Sequence, residues 1–81
     1  MIVRVLFFAI AHDLTGTREY SLELENAATV ETAIDILIRK FPALRQIDQS
    51  MKIAVNKEYA GRSVELQPDD EIACLPPVSG G

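Results

Sequence analysis

The chain has 81 residues, 48% hydrophobic and 25% charged, a balance that excludes intrinsic disorder and leaves room for one domain with a modest apolar core. A formal net charge of -4 argues against a nucleic-acid partner, because phosphate binding needs clustered Lys and Arg, and makes a basic protein partner the easier one to imagine. One cysteine and one histidine exclude an internal disulfide and a Cys/His metal cluster, while the longest apolar run, residues 5–11, is too short to span a bilayer, so a cytoplasmic location is expected.

From Ile2 to Ala9 the chain alternates Val3/Val5/Phe7/Ala9 with Ile2/Arg4/Leu6/Phe8, which predicts a first strand whose Arg4 face is the outer one. Residues 10–15 suit a short helical turn, ended by Gly16 in a left-handed conformation. Tyr20, Leu22 and Leu24 alternate with Ser21 and Glu23, so a second strand is expected to fold back on the first as a hairpin.

Thr29 is placed to cap a helix, in which Val30, Ala33, Ile34, Leu37, Ile38 and Phe41 fall on one apolar stripe until Pro42 stops it. Met51, Ile53 and Val55 alternate with polar or small residues in a third strand. Asn56-Lys57-Glu58 reads as a turn into a short fourth strand around Tyr59-Ala60. Pro68-Asp69-Asp70 is a turn signal, Ile72 and Cys74 define a last strand, and Pro76-Pro77 end it because neither has an N–H for a ladder. The order β-β-α-β-β-β predicts an α+β fold of the ubiquitin-like β-grasp kind, with a mixed sheet of about five strands and one main helix on one face.

The organisation expected is a β-grasp domain over residues 1–75 and a projecting tail over residues 76–81, ending in Gly-Gly. Pro76 and Pro77 favour an extended conformation, and six residues reach roughly 20 Å, enough to enter another protein's active site. Gly80 and Gly81 have no side chains, so a terminal carboxylate passes a narrow channel. A free carboxylate is a poor electrophile. Adenylation by ATP supplies a leaving group, which a sulfur donor then replaces to leave a thiocarboxylate on Gly81.

Three stretches resemble the MoaD family, the sulfur-carrier subunits of molybdopterin synthase: Val5-Leu6-Phe7-Phe8-Ala9, Ala54-Val55-Asn56, and Asp70-Glu71-Ile72-Ala73 through Leu75-Pro76-Pro77-Val78-Ser79-Gly80-Gly81. The resemblance runs over essentially the whole length. It implies a carrier that binds no cofactor or metal and is not catalytic alone. A MoeB-like enzyme, similar to ubiquitin-activating enzymes, adenylates Gly81 with ATP, and a sulfur donor protein loads it. The tail, Pro76, Pro77, Val78, Ser79 and Gly80, then inserts into the large subunit, MoaE, in a heterotetramer. There the thiocarboxylate donates sulfur to cyclic pyranopterin monophosphate, building the dithiolene of molybdopterin.

Phe8, Tyr59 and Leu75 are expected to form an apolar patch beside the tail's exit, of the kind that marks an interface. By the resemblance they meet the large subunit, although the family often has an aromatic residue where this chain has Leu75. Cys74 reads as buried packing, His12 as a solvated surface residue, and Asp69-Asp70-Glu71 as a turn. Three alternatives stay open: a sulfur carrier for thiamin thiazole synthesis or tRNA thiolation, a protein modifier joined through Gly81 to a target lysine, and an interaction module with an inert end.

Overall fold

A computed structural model describes residues 1–77; the expectations for Val78, Ser79, Gly80 and Gly81 lie outside the described residues. The elements in chain order are β1 (Ile2–Phe7), α1 (Ile10–Thr15), β2 (Glu19–Glu23), α2 (Val30–Lys40), a 3-10 helix (Pro42–Gln46), β3 (Lys52–Val55), β4 (Glu58–Tyr59) and β5 (Glu71–Leu75). The strands form one sheet in the order β2-β1-β5-β3-β4. β1 and β5 run parallel with Val5 beside Ile72 and Phe7 beside Cys74, and the other pairings are antiparallel, which makes the sheet mixed.

α2 forms because its apolar residues share one stripe. Val30, Ala33, Ile34, Leu37 and Ile38 are all buried, and they pack on the inner sheet residues Val3, Val5, Phe7, Leu22, Ile53, Ile72 and Cys74. Thr29 Oγ1 accepts the Thr32 amide at 3.3 Å as the N-cap. The amides of Val30 and Glu31 donate to the carbonyls of Val64 and Arg62 at 2.9 and 2.8 Å, so the helix start is closed by a crossing loop. Arg62 fixes that loop by donating to the carboxylates of Glu31 and Asp48, both at 2.9 Å. At the other end, Phe41 packs edge-on against Phe7 and Tyr20, with centroids 5.6 and 5.2 Å away.

The boundaries differ from expectation in three places. β1 stops at Phe7 rather than Ala9, because Ala9 adopts φ 50°, ψ -127° and the Ala11 amide donates back to the Phe8 carbonyl at 2.9 Å in a tight turn. Ala9 is therefore exposed and not part of the inner face. Pro42 ends α2 as anticipated but opens a 3-10 turn, the N-terminal position where proline costs nothing, and that turn buries Leu44. The fourth strand is Glu58–Tyr59, one residue earlier than expected, because Asn56 and Lys57 both take positive φ, 51° and 72°, and complete the reversal in two residues.

Among the described residues no helix is long and apolar enough to cross a membrane. Gly16, at φ 75°, terminates α1, and its amide donates to the His12 carbonyl at 2.8 Å. A Cβ there meets nothing within 4 Å, so replacing Gly16 tests backbone conformation alone. Gly16→Ala is expected to cost about 1 kcal/mol in urea unfolding and Gly16→Asn less, because asparagine tolerates the left-handed region. Equal stability of the native chain and the alanine variant contradicts this account of the turn.

Candidate functional site

The face of the sheet away from α2 is built by strand alternation. Residues whose neighbours point into the core point outward: Arg4 and Leu6 on β1, Glu71, Ala73 and Leu75 on β5, and Lys52 and Ala54 on β3. The register sets them side by side: Leu6 pairs with Ala73, Ala73 with Ala54 and Ala54 with Tyr59, forming one row across four strands. One step toward Pro76, Lys52 pairs with Leu75, and the Phe8 amide donates to the Cys74 carbonyl at 3.4 Å, which holds Phe8 alongside.

The three residues singled out in the sequence therefore meet. Phe8 and Tyr59 are 46% and 77% exposed, unusual for aromatic residues, and Leu75 is half-buried between them. They border two shallow depressions. One is floored by Leu6, Ala54 and Ala73 and edged by Lys57 and Glu71; the other is lined by Ala9, Ser50, Lys52, Pro76 and Pro77. Pro76, Pro77 and the apolar patch are thus one continuous surface.

Sequence reading missed the floor and the cations. Ala54 and Ala73 carry too little apolar surface to stand out in an alternation pattern, yet side by side they make the hollow beneath the larger residues. Ala54 is only 6% exposed although it faces outward. Lys52 and Lys57 look like ordinary solvated positions until the register sets one beside Leu75 and the hairpin sets the other beside Tyr59.

The charged row lies below. Arg4 forms ion pairs with Glu71 and, at 3.4 Å, with Glu19. Asp70 accepts from the Asn56 side chain at 2.9 Å and from the Gln67 amide at 2.8 Å, while Asn56 Oδ1 accepts the Glu71 amide at 3.0 Å. The acidic run 69–71 is thereby spent on a turn, an ion pair and the start of β5. Among the described residues no group of three His, Cys, Asp or Glu side chains is arranged to hold a metal ion. His12 is half-buried on α1, with Nδ1 3.9 Å from Asp13 Oδ1.

Cys74 lies close to the tail in sequence but faces α2 and is fully buried. Burial pushes its thiol up from an ordinary 9.0 to about 12, so it stays protonated and poorly nucleophilic at neutral pH. A folded-state value above the unfolded one means that this burial contributes its full stability below about pH 9. The contribution is lost as pH rises toward 12. The stability advantage of the native chain over Cys74→Ala is therefore expected to shrink across that alkaline range in denaturant titrations. Iodoacetamide should label Cys74 only after unfolding, and rapid labelling of the folded chain contradicts its placement.

Comparison with known proteins gives the family and the fold. The ThiS family model matches residues 5–81. Two curated relatives are named molybdopterin synthase sulfur carrier subunit. That of Caenorhabditis briggsae is 43% identical over 98% of this chain and 96% of its own length. That of Arabidopsis thaliana is 38% identical over 98% of this chain and 82% of its own. The crystal structure of SAMP1 from Haloferax volcanii superposes with a TM-score of 0.91 at 29% identity, covering all of both chains. A family match across nearly the whole chain and a shared β-grasp sheet give one assignment: the chain belongs to the ThiS family.

Proposed function

We propose that the chain is the sulfur carrier subunit of a molybdopterin synthase, acting in the cytoplasm and binding no cofactor of its own. The observation that carries the reading is the shared surface at the end of β5, where Pro76 and Pro77 line the same depression as Phe8, Tyr59 and Leu75. A partner that covers the patch necessarily takes up the base of the tail. Relatives named as a subunit of that synthase, matched over 98% of this chain, support the same reading.

In the proposed cycle the Gly81 carboxylate attacks the α-phosphate of ATP in an adenylating enzyme of the MoeB kind. The C–O–P bond of the acyl adenylate forms as pyrophosphate leaves. A sulfur donor protein supplies sulfur at the sulfide level, which attacks the acyl carbon and expels AMP, leaving the thiocarboxylate. The thiocarboxylate is ionised and soft at neutral pH. The carrier then docks through Phe8, Tyr59 and Leu75 on the large subunit, MoaE, as half of each carrier–large-subunit pair in a heterotetramer. The tail, residues 76–81, reaches the large subunit's active site, where the thiocarboxylate sulfur bonds to a carbon of cyclic pyranopterin monophosphate as an oxygen substituent leaves. Water then cleaves the acyl–sulfur bond to leave a thiol on the pterin and return the Gly81 carboxylate. This chain contributes the reactive terminus and its aim; the catalytic side chains belong to the partner.

A second reading is favoured by one observation, the TM-score of 0.91 with SAMP1. A second crystal structure, described as that of the H. volcanii small archaeal modifier protein 1, shares the fold at a TM-score of 0.86 and 27% identity. Such a modifier would use the same activated Gly81 to acylate a lysine amine rather than to carry sulfur.

Deleting Gly81 is designed to separate chemistry from folding, since the buried core among the described residues ends at Cys74. The truncated chain is expected to keep its unfolding midpoint and to lose all molybdopterin formation in a reconstituted synthase. Normal molybdopterin yield from the truncated chain would overturn the carrier reading. Gly81-dependent conjugates on lysine, without any thiocarboxylate form, would establish the modifier in its place.

A further inference from the structure

We propose that the partner seated on the outer apolar face is acidic where it makes contact, bringing carboxylates to Lys52 and Lys57 while its apolar side chains fill the two depressions. The inference rests on the docking reading above and adds to it the charge of the partner's surface. Whole-chain charge points the other way, because a net -4 suggests a basic partner. The local arrangement decides the matter differently.

The charged residues lining the depressions are Lys52, Lys57 and Glu71. Glu71 is already joined to Arg4, which also pairs with Glu19, so the Glu71 carboxylate has its cation within the chain and the row of three keeps one net negative charge. Lys52 and Lys57 are exposed and take part in no ion pair among the described residues. Each depression therefore has one lysine at its edge. Lys52 stands across the β3–β5 ladder from Leu75, and Lys57 sits in the hairpin that presents Tyr59.

A neutral apolar surface closing on this face would strip water from both ammonium groups without replacing their hydrogen bonds, and a basic one would add like-charge repulsion. A partner with a carboxylate beside each apolar projection satisfies the lysines and keeps the apolar contact. Their long stems let the ammonium groups reach the rim while the methylenes extend the apolar wall. The same arrangement steers encounter, because an acidic patch is drawn to the two cations and repelled by the acidic remainder of the chain, which selects this face over others.

The test measures binding of the full chain to its cognate molybdopterin synthase large subunit by calorimetry and stopped-flow, at about 50 mM and about 300 mM salt. Lys52→Glu and Lys57→Glu are each expected to weaken binding about tenfold at low salt and less at high salt, mainly through slower association. Lys40→Glu, exposed at the end of α2 behind the sheet, should change nothing. Leu75→Lys, which places an ammonium in the apolar contact, should weaken binding at both salt concentrations. If Leu75→Lys weakens binding while both glutamate variants bind like the native chain or tighter, the acidic-partner inference is overturned and the docking reading stands. If Leu75→Lys has no effect, or the native chain does not bind, the docking reading fails and the inference fails with it.

Discussion

The parallel pairing of β1 with β5 is the constraint on which the rest depends. It joins the first and last strands at the centre of the sheet and points their C-terminal ends the same way. Phe8 therefore leaves β1 beside the point where Leu75 leaves β5. In an antiparallel arrangement β5 would end beside the start of β1, and Leu75, Pro76 and Pro77 would lie at the opposite end of the sheet from Phe8. One pairing choice makes the apolar patch contiguous with Pro76 and Pro77.

The sheet has two faces with different duties. The inner one buries Val3, Val5, Leu22, Ile72 and Cys74 under α2 and supplies the stability of a domain this small. The outer one leaves Phe8 and Tyr59 in water, an arrangement that costs hydration and invites association. Lys52 and Lys57 offset that liability by keeping charge at the edges of the patch. The sheet edges are guarded as well: β4 has two residues, and β2 carries Glu19 and Glu23 on its outward face.

Much of this was legible from residue order. α2 was readable because six apolar residues fall at helical spacing behind a threonine cap, and each strand was readable where apolar and polar residues alternate. The patch residues Phe8, Tyr59 and Leu75 could be named because large apolar side chains at outward positions contradict the pattern around them. What stayed hidden depends on non-local pairing or on backbone conformation. The row from Leu6 through Ala73 and Ala54 to Tyr59 exists only once the register of four strands is known. The turn at Ala9 required a positive φ at a residue that does not advertise one, and the 3-10 turn after Pro42 follows from packing Leu44 into the core. The lysines became informative only beside their apolar neighbours.

The claim that Gly81 is the reacting group is tested most directly by intact mass. The full chain, incubated with a MoeB-like activating enzyme, ATP and a sulfide source, is predicted to gain the mass of one sulfur-for-oxygen exchange, located in the C-terminal peptide. A chain whose mass is unchanged, under conditions where the same enzyme thiolates a known carrier, would contradict the account.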